Sequence, residues 1–186
     1  MNKAIFLDRD GVINKMLYHD EKGIYSARNL DEFEVLSGVK KGISDLKKIG
    51  FKIIVVSNQP GVAFGYIKEH DLEKINQYMK DKLKVDWVYN CVHHPDHTGE
   101  CSCRKPKPGM LKTAAEEHGL DLKKSFIIGD NLSDIQAGKE CNKTIMISKV
   151  NCSLCNIMHE KKIKPDFIVK NFSEAVDIIK IGGDLK

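Results

Sequence analysis

Short apolar runs alternate with longer segments of helical periodicity along this sequence, and this alternation constrains the fold more than any other feature. The runs that predict strands fall at residues 4–7, 51–56, 85–88, 125–128, 144–147 and 167–169, and the segments that predict helices fall at residues 39–49, 68–83, 110–118, 133–140 and 173–179. Strands joined through helices form right-handed βαβ units. The sequence therefore predicts an α/β fold, a Rossmann-like parallel sheet with helices on both faces, which binds ligands at the carboxyl ends of its strands.

Size and composition predict a single domain that spans residues 1–186. Hydrophobic residues make up 41% and charged residues 30% of the chain, a balance typical of folded globular proteins, and the net charge of +4 comes from scattered lysines. We find no signal peptide and no apolar run of about 20 residues. We therefore expect a cytoplasmic monomer with a small-molecule partner and no contact with nucleic acid or membrane. In that reducing compartment the six cysteines should be thiols or metal ligands.

Two aspartates, Asp8 and Asp10, leave the end of the first predicted strand with one residue between them. Like charges this close raise each other's pKa unless a cation lies between them, and Mg²⁺ is bound in proteins through one or two carboxylates together with substrate phosphate oxygens. Gly11 then lets the backbone turn away from the strand. On this spacing alone, a polar turn with two exposed aspartates explains the pair equally well.

Three further polar segments follow in the chain, and each has a simpler reading when it is taken alone. Ser57, Asn58 and Gln59 follow the second long strand, where a hydroxyl and backbone N–H groups can bind a phosphoryl oxygen or merely form a turn. Arg104 and Lys105 open a proline-stiffened basic segment, which offers cations to a phosphate or is only an exposed loop. Around the fourth long strand, the segment 129–134 carries Asp130, Asn131 and Asp134, which could serve a site or cap a helix.

Taken in this order, the four segments resemble the motifs of the haloacid dehalogenase superfamily of phosphotransferases. The resemblance implies that Asp8 is the nucleophile and that Asp10 is the general acid and base. It implies a Mg²⁺ ion bound by Asp8, Asp130 and Asp10, the last through its backbone carbonyl, while Ser57 and Lys105 hold phosphoryl oxygens. The remaining candidates for substrate contact are Asn58, Gln59, Arg104 and Asn131.

A cysteine- and histidine-rich loop at residues 91–103 leads directly into Arg104 and Lys105. Its Cys91, Cys101 and Cys103 together with one imidazole would make a closed tetrahedral zinc site of the structural type. The residues alone do not choose among three possible nitrogen ligands, which are His93, His94 and His97. Surface thiols in a polar loop are the alternative interpretation, but such a density of cysteines in the cytosol favours Zn²⁺.

The zinc loop and the motifs around it resemble the D-glycero-D-manno-heptose-1,7-bisphosphate 7-phosphatases, with the histidinol phosphatases as a related branch. The segments concerned are residues 6–14, 57–61, 91–95 and 101–110. This resemblance implies zinc ligation by Cys91, His93, Cys101 and Cys103, and substrate recognition by Arg104. The sequence departs from the family pattern at Phe64 and Asn131, where an arginine and a lysine are usual.

The resemblance implies a Mg²⁺-dependent phosphatase that removes the 7-phosphate of the heptose bisphosphate, in the supply of ADP- or GDP-heptose precursors for lipopolysaccharide. Since no large helical insertion separates the motifs, we expect a capless enzyme with an open site. The alternatives are a histidinol-phosphate phosphatase or another small-molecule phosphatase, a phosphatase of nucleic-acid 3′ ends, and a zinc-stabilised binding module without activity. A second metal site at Cys152, Cys155 and His159 is less well supported than free thiols, because only three ligands are present.

Overall fold

A computed structural model describes residues 2–21 and 23–182. Its strands are β1 (Lys3–Leu7), β2 (Leu17–His19), β3 (Gly23–Tyr25), β4 (Phe51–Asn58), β5 (Trp87–Cys91), β6 (Phe126–Gly129), β7 (Lys143–Ile147) and β8 (Phe167–Val169). Its α-helices are α1 (Val39–Lys48), α2 (Glu69–Leu83), α3 (Pro95–Thr98), α4 (Gly109–His118), α5 (Leu132–Ala137), α6 (Cys152–Glu160) and α7 (Phe172–Gly182), with a 3₁₀ turn at Leu122–Lys124. None of the helices within these ranges is long and apolar enough to cross a membrane.

The main sheet is parallel and has the strand order β5-β4-β1-β6-β7-β8. The chain builds outward from β1 through β4 to β5, then crosses to the other side of β1 and builds β6, β7 and β8. The order therefore reverses at β1, and the ends of its two neighbours lie beside its own end, since Leu7 is in register with Val55 of β4 and Ile128 of β6. Ligands of such sheets bind where the order reverses. The predicted parallel α/β fold is confirmed.

Both faces of the sheet are buried, because successive side chains of a strand point to opposite faces. Ile5 and Leu7 of β1 pack into a cluster with residues of α1, α2 and α7. Ala4 and Phe6 pack into a second cluster with residues of α4 and α5. Burial on both faces explains why β1 is apolar from Ala4 to Leu7, and it fixes the point at which the next polar side chain, Asp8, emerges.

Five predicted boundaries were wrong by two or three residues. The strands β4 and β5 and the helix α7 extend to Asn58, Cys91 and Gly182, beyond the ends predicted at residues 56, 88 and 179. The strand predicted from residue 85 begins at Trp87, because Lys84 ends α2 in the left-handed conformation with φ 61° and Val85 follows as buried coil. The helix predicted to residue 140 ends at Ala137. Gly138 then packs so closely against β6 that a Cβ there would lie 2.2 Å from a side-chain carbon of Ile127.

Between β1 and α1 the chain forms the antiparallel hairpin β2-β3, which the sequence did not predict. Its strands have three residues each and are mostly exposed, so they lack the apolar alternation by which strands are recognised. The sequence did not predict α6 either, because none of its residues is buried.

The expectation of an open, capless site stays a prediction.

We expect Ile53→Ala to lower the free energy of unfolding by about 2–5 kcal/mol, because Ile53 is fully buried in β4 and its truncation leaves a cavity. Urea denaturation monitored by circular dichroism measures the effect. The matched control is Ile181→Ala, the same chemical change at a side chain that is 74% exposed, for which we expect a change below about 0.5 kcal/mol. Equal effects at the two positions would contradict the assigned core.

Candidate active site

Lys105 forms the centre of the polar cluster at the end of β1. Its ammonium group lies 2.8 Å from Asp8 Oδ1 and 2.5 Å from Asp134 Oδ1, and it donates a 2.7 Å hydrogen bond to the Val56 carbonyl. The backbone N–H of Arg9 also donates to Asp8 Oδ1, at 2.7 Å. Lys105 is only 3% exposed, so its charge depends on these partners.

Electrostatics at this cluster favour a bound cation. Burial opposes the charged form of Lys105, but Asp8 and Asp134 outweigh it, so the pKa of Lys105 is raised above its ordinary value. Burial raises the pKa of Asp8 to about 6, against the lowering effect of Lys105. Burial, and then the charge of Asp8, raise the pKa of Asp130 to about 7. One lysine therefore does not balance the carboxylates gathered here.

The carboxylates of Asp8, Asp130 and Asp134 each bring an oxygen within 4.8 Å of the others. Gly11, with φ +82°, permits this approach, because a Cβ at that position would lie 2.1 Å from Asp130 Oδ2. Asp134 is already engaged by Lys105 and by the backbone N–H of Asn131, to which it is bonded at 3.0 Å. Asp8 and Asp130 remain as a pair of hard oxygen donors, a set that fits Mg²⁺.

Asp10 lies beside this cluster, but its carboxylate is bound by side chains that do not belong to the cluster. Arg9, Asn14 and Gln59 all donate to it, with the shortest contact, 2.7 Å, from Gln59 Nε2. Asp10 is 7% exposed and forms part of the cleft wall. A role for Asp10 in metal binding would therefore fall to its backbone carbonyl rather than to its carboxylate.

The three polar residues at the end of β4 have different surroundings. Ser57 and Asn58 line the cleft, whereas Gln59 is completely buried behind them. Asn58 exchanges two 3.0 Å hydrogen bonds with the backbone of Lys105, donating to its carbonyl and accepting from its N–H. Asn58 therefore joins the end of β4 to the loop that carries the central lysine.

A cleft of about 340 Å³ opens above these groups at the carboxyl edge of the sheet. The hairpin side contributes Met16 and Ser26, and the 104–105 segment contributes Arg104 and Lys105. The complete lining is Asp8, Asp10, Met16, Ser26, Ser57, Asn58, Arg104, Lys105, Asp130, Asn131 and Ser133. Of the residues that the sequence offered for this site, the cleft gathers all except Gln59 and Asp134.

The predicted zinc ligands also come together, at the end of β5. Cys91 Sγ lies 3.1 Å from Cys103 Sγ and 3.7 Å from both Cys101 Sγ and His93 Nδ1, and Cys103 Sγ lies 3.3 Å from His93 Nδ1. A tetrahedral site with Zn–S bonds of about 2.3 Å has sulfur–sulfur edges of about 3.8 Å. The distance from Cys91 Sγ to Cys101 Sγ matches that edge, whereas the distance to Cys103 Sγ is shorter. The four side chains have the donor types of a structural Zn²⁺ site, and their ligand atoms all lie within 4.8 Å of one another.

Of the three histidines, His93 is the one whose ring nitrogen lies beside the cysteine sulfurs. His94 Nδ1 accepts the N–H of Asp96 at 3.3 Å and caps α3, while the ring of His97 packs edge-on against Phe64 with centroids 4.3 Å apart. Burial, and then the neighbouring Cys103, raise the pKa of the Cys91 thiol to about 12. A cation among the sulfurs removes that obstacle to a thiolate.

The cysteine–histidine cluster adjoins the cleft through two contacts of the following segment. Arg104 Nη1 donates to the His93 carbonyl at 3.2 Å, and Lys105 follows directly in the chain. Gly109 fits against this loop so tightly that a Cβ would lie 2.2 Å from the Ser102 carbonyl oxygen. The loop therefore sets where Arg104 and Lys105 enter the cleft.

Sequence reasoning missed Arg9 and Asn14, which are fully buried and bound to Asp10. A signal was present, because an arginine directly after a buried strand and between two aspartates has carboxylate partners at hand. The less favoured alternative of a second metal site is not assembled, since Cys152, Cys155 and His159 form no metal-competent group within the described ranges.

Comparisons with known proteins agree with this geometry. A family model described as HAD-hydrolase-like matches residues 102–175. The D-glycero-beta-D-manno-heptose-1,7-bisphosphate 7-phosphatase of Helicobacter pylori is 37% identical over 186 residues, which cover 96% of this chain and 98% of that protein. The D-glycero-alpha-D-manno-heptose-1,7-bisphosphate 7-phosphatase of Campylobacter jejuni is 37% identical over 185 residues and 96% of each chain.

A solved structure has the same fold along nearly the whole chain. The D,D-heptose 1,7-bisphosphate phosphatase of B. bronchiseptica, crystallised with magnesium and phosphate, has a TM-score of 0.79 and 26% identity, and the match covers 96% of this chain and 98% of that one. The resemblance inferred from the four motifs and the zinc loop is confirmed. The chain belongs to the D-glycero-D-manno-heptose-1,7-bisphosphate 7-phosphatase family of the HAD-like hydrolases.

Proposed function

We propose that this protein is a Mg²⁺-dependent phosphatase that hydrolyses the 7-phosphate of D-glycero-D-manno-heptose 1,7-bisphosphate through an aspartyl-phosphate on Asp8. The observation that carries the proposal is the contact of Lys105 with Asp8 in a cleft that Asp130 also lines. In this arrangement the Asp8 carboxylate, the Lys105 ammonium group and the Asp130 carboxylate all face one small cleft. Phosphoryl transfer depends mainly on such positioning and on charge stabilisation.

In the first half-reaction, a carboxylate oxygen of Asp8 attacks phosphorus, and the bond between phosphorus and the sugar oxygen breaks. Asp10 donates its proton to the departing sugar oxygen, which leaves as the hydroxyl group. Lys105 and Ser57 face the same cleft, where they bind the phosphoryl oxygens and stabilise the negative charge on them during the transfer. The products of this step are the heptose 1-phosphate and a phosphorylated Asp8.

In the second half-reaction, Asp10, now ionised, takes a proton from water as that water attacks phosphorus. The bond between phosphorus and the Asp8 oxygen breaks, inorganic phosphate leaves, and the carboxylate of Asp8 is regenerated. Asp8, Asp130 and the backbone carbonyl of Asp10 would hold Mg²⁺, which when bound supplies positive charge to the phosphoryl oxygens. Asp134 holds Lys105 in place rather than touching substrate.

The substrate assignment is supported by the names of the relatives, two of which differ in the anomer printed. The 7-phosphate is the ester that the proposed chemistry cleaves, and it is distant from the anomeric carbon on the sugar chain. The cleft has Arg104 and Asn131 on its wall, and these side chains suit a polar, extended leaving group. We place the enzyme as a capless monomer in the cytoplasm, in heptose supply for lipopolysaccharide, with no role for nucleic acid.

A structural Zn²⁺ at Cys91, His93, Cys101 and Cys103 completes the proposal. The ion would hold the 91–103 loop as one unit, and with it the Arg104 and Lys105 that follow. Its effect on turnover is therefore indirect, through the position of the lysine that contacts Asp8.

We expect the wild-type protein with Mg²⁺ to release phosphate from the heptose bisphosphate with kcat/KM at least tenfold above that for histidinol phosphate, for either the alpha or the beta anomer. The physical reason is the polar wall of the cleft, where Arg104 and Asn131 can bond to sugar hydroxyl groups or to a second phosphate, which histidinol phosphate lacks. Steady-state phosphate release measured on both anomers and on histidinol phosphate tests this. A preference for histidinol phosphate would overturn the substrate assignment, and no hydrolysis of any phosphate ester would favour a zinc-stabilised binding module.

The control for that assay is Asp8→Asn, which keeps the shape of the side chain and removes the nucleophilic charge. Phosphate release should fall on the order of a thousandfold or more, with the circular dichroism spectrum unchanged. A folded variant with wild-type turnover would show that Asp8 is not the nucleophile.

Removal of the zinc cluster should lower turnover as well as stability. We expect Cys103→Ser to lose bound zinc, measured by mass spectrometry of the metal, and to lower kcat about 10–100-fold because Lys105 is no longer held. The matched control is Cys155→Ser, the same change at an exposed cysteine on α6, which should retain both zinc and kcat. A zinc-free Cys103→Ser protein with full kcat would contradict the proposed link between the loop and Lys105.

A further inference from the structure

Arg9 is a fully buried arginine whose side chain folds onto its own neighbour in the chain. Its Nε and Nη2 lie 3.2 and 2.9 Å from Asp10 Oδ2, and Nη2 also lies 3.1 Å from Asp10 Oδ1. A buried guanidinium is costly unless it is paired, so Arg9 and Asp10 require each other. The contact fixes the plane of the Asp10 carboxylate and pairs its negative charge with the guanidinium of Arg9.

Gln59 lies at the centre of the same network, and the chemistry of its neighbours decides which way its amide points. Gln59 Oε1 accepts from Arg9 Nη2 at 2.8 Å, since an arginine can only donate. Gln59 Nε2 then donates to Asp10 Oδ2 and to Ser57 Oγ, both at 2.7 Å. One amide therefore joins the carboxylate of Asp10 to the hydroxyl of Ser57.

Asn14 closes the network from the other side. Its Nδ2 donates to Asp10 Oδ1 at 3.0 Å, and Asn14, like Gln59, has no exposed surface. Each oxygen of Asp10 thus accepts from two different side chains. Asp10 is held by Gln59, which follows β4, and by Arg9 and Asn14 near it in the chain, so its rotation is constrained from opposite directions.

We infer that Arg9, Gln59 and Asn14 are positioning residues that fix the Asp10 carboxylate toward the leaving oxygen of the substrate, and that Gln59 couples this orientation to Ser57. The inference deepens the proposed function and rests on it. None of the three lines the cleft, so none contacts the substrate itself. Gln59, which the sequence predicted as a substrate residue, acts in this account behind Asp10 and Ser57.

The leaving group of the substrate gives a measurement that a purely structural role would not move. A sugar hydroxyl needs a proton as it departs, whereas p-nitrophenolate leaves without one. The ratio kcat/KM reports only steps up to the first irreversible one, here formation of the phosphorylated enzyme. Misplacement of Asp10 should therefore lower kcat/KM for the sugar phosphate and spare it for the aryl phosphate.

We expect Gln59→Met, which keeps side-chain length and removes both polar atoms, to lower kcat/KM about 100-fold for the heptose bisphosphate. For p-nitrophenyl phosphate the loss should stay within about threefold, while kcat falls for both substrates because Asp10 also activates water. Arg9→Lys keeps the charge but not the two-nitrogen contact. Its ratio of kcat/KM for the heptose bisphosphate to kcat/KM for p-nitrophenyl phosphate should lie between those of wild type and Gln59→Met.

The matched control is Ser125→Ala. Ser125 is a fully buried residue whose hydroxyl bonds to Ala4 and Asp121 at the opposite end of β1. It should lower the melting temperature and leave the ratio of the two kcat/KM values unchanged. If Gln59→Met does not fold, Asn14→Ala, which removes a single side-chain donor from Asp10, should show a smaller loss in the same direction.

Three outcomes are distinguishable. Equal losses on both substrates in a folded Gln59→Met or Asn14→Ala protein would overturn the positioning role while leaving the phosphatase proposal intact. Unchanged kinetics in such a folded variant would overturn it equally. A wild-type protein inactive on both substrates would overturn the proposed function, and the inference with it.

Discussion

The contact between the Lys105 ammonium and the carboxylate of Asp8 is the interaction on which the rest of this site depends. Lys105 is almost completely buried and also contacts Asp134 and the Val56 carbonyl. A lysine in such surroundings keeps its charge only because carboxylates face it. The position of Lys105 and the position of the Asp8 carboxylate therefore determine each other.

The fold brings these groups together from distant parts of the sequence. The reversal of strand order at β1 places the ends of β4 and β6 beside Asp8, so that Ser57 and Asp130 enter the same cleft. Lys105 arrives by a different route, on the segment that leaves the cysteine–histidine loop, and Asn58 secures its backbone. The sheet therefore positions the carboxylates of Asp8 and Asp130, and the loop positions the ammonium group of Lys105.

Much of this could be predicted from the sequence, because the strands of the main sheet are apolar and their polar ends are abrupt. The position of Asp8 after β1 follows directly from that pattern. The hairpin β2-β3 could not be predicted, since its exposed three-residue strands bury too little to leave a periodic signal. The choice of His93 over His94 and His97 likewise required coordinates, because it depends on which ring nitrogen faces the sulfurs.

The role of Gln59 shows a further limit of motif reading. Because Gln59 follows a strand, the sequence predicts it as a substrate contact, but burial and three hydrogen bonds direct its amide toward Arg9, Asp10 and Ser57. Sequence spacing places a side chain near a site without saying whether it faces the ligand or supports a neighbour. Only the contacts separate these two possibilities.

Chemical trapping of the phosphorylated residue tests most directly whether Asp8 is the nucleophile. A single turnover with the heptose bisphosphate is quenched in acid and reduced with borohydride, which converts an aspartyl-phosphate to homoserine, and the peptide that contains residue 8 is analysed by mass spectrometry. This account predicts homoserine at position 8 and unmodified aspartate at positions 10, 130 and 134. Phosphate release in that turnover with homoserine at another of these positions, or at none of them, would contradict it.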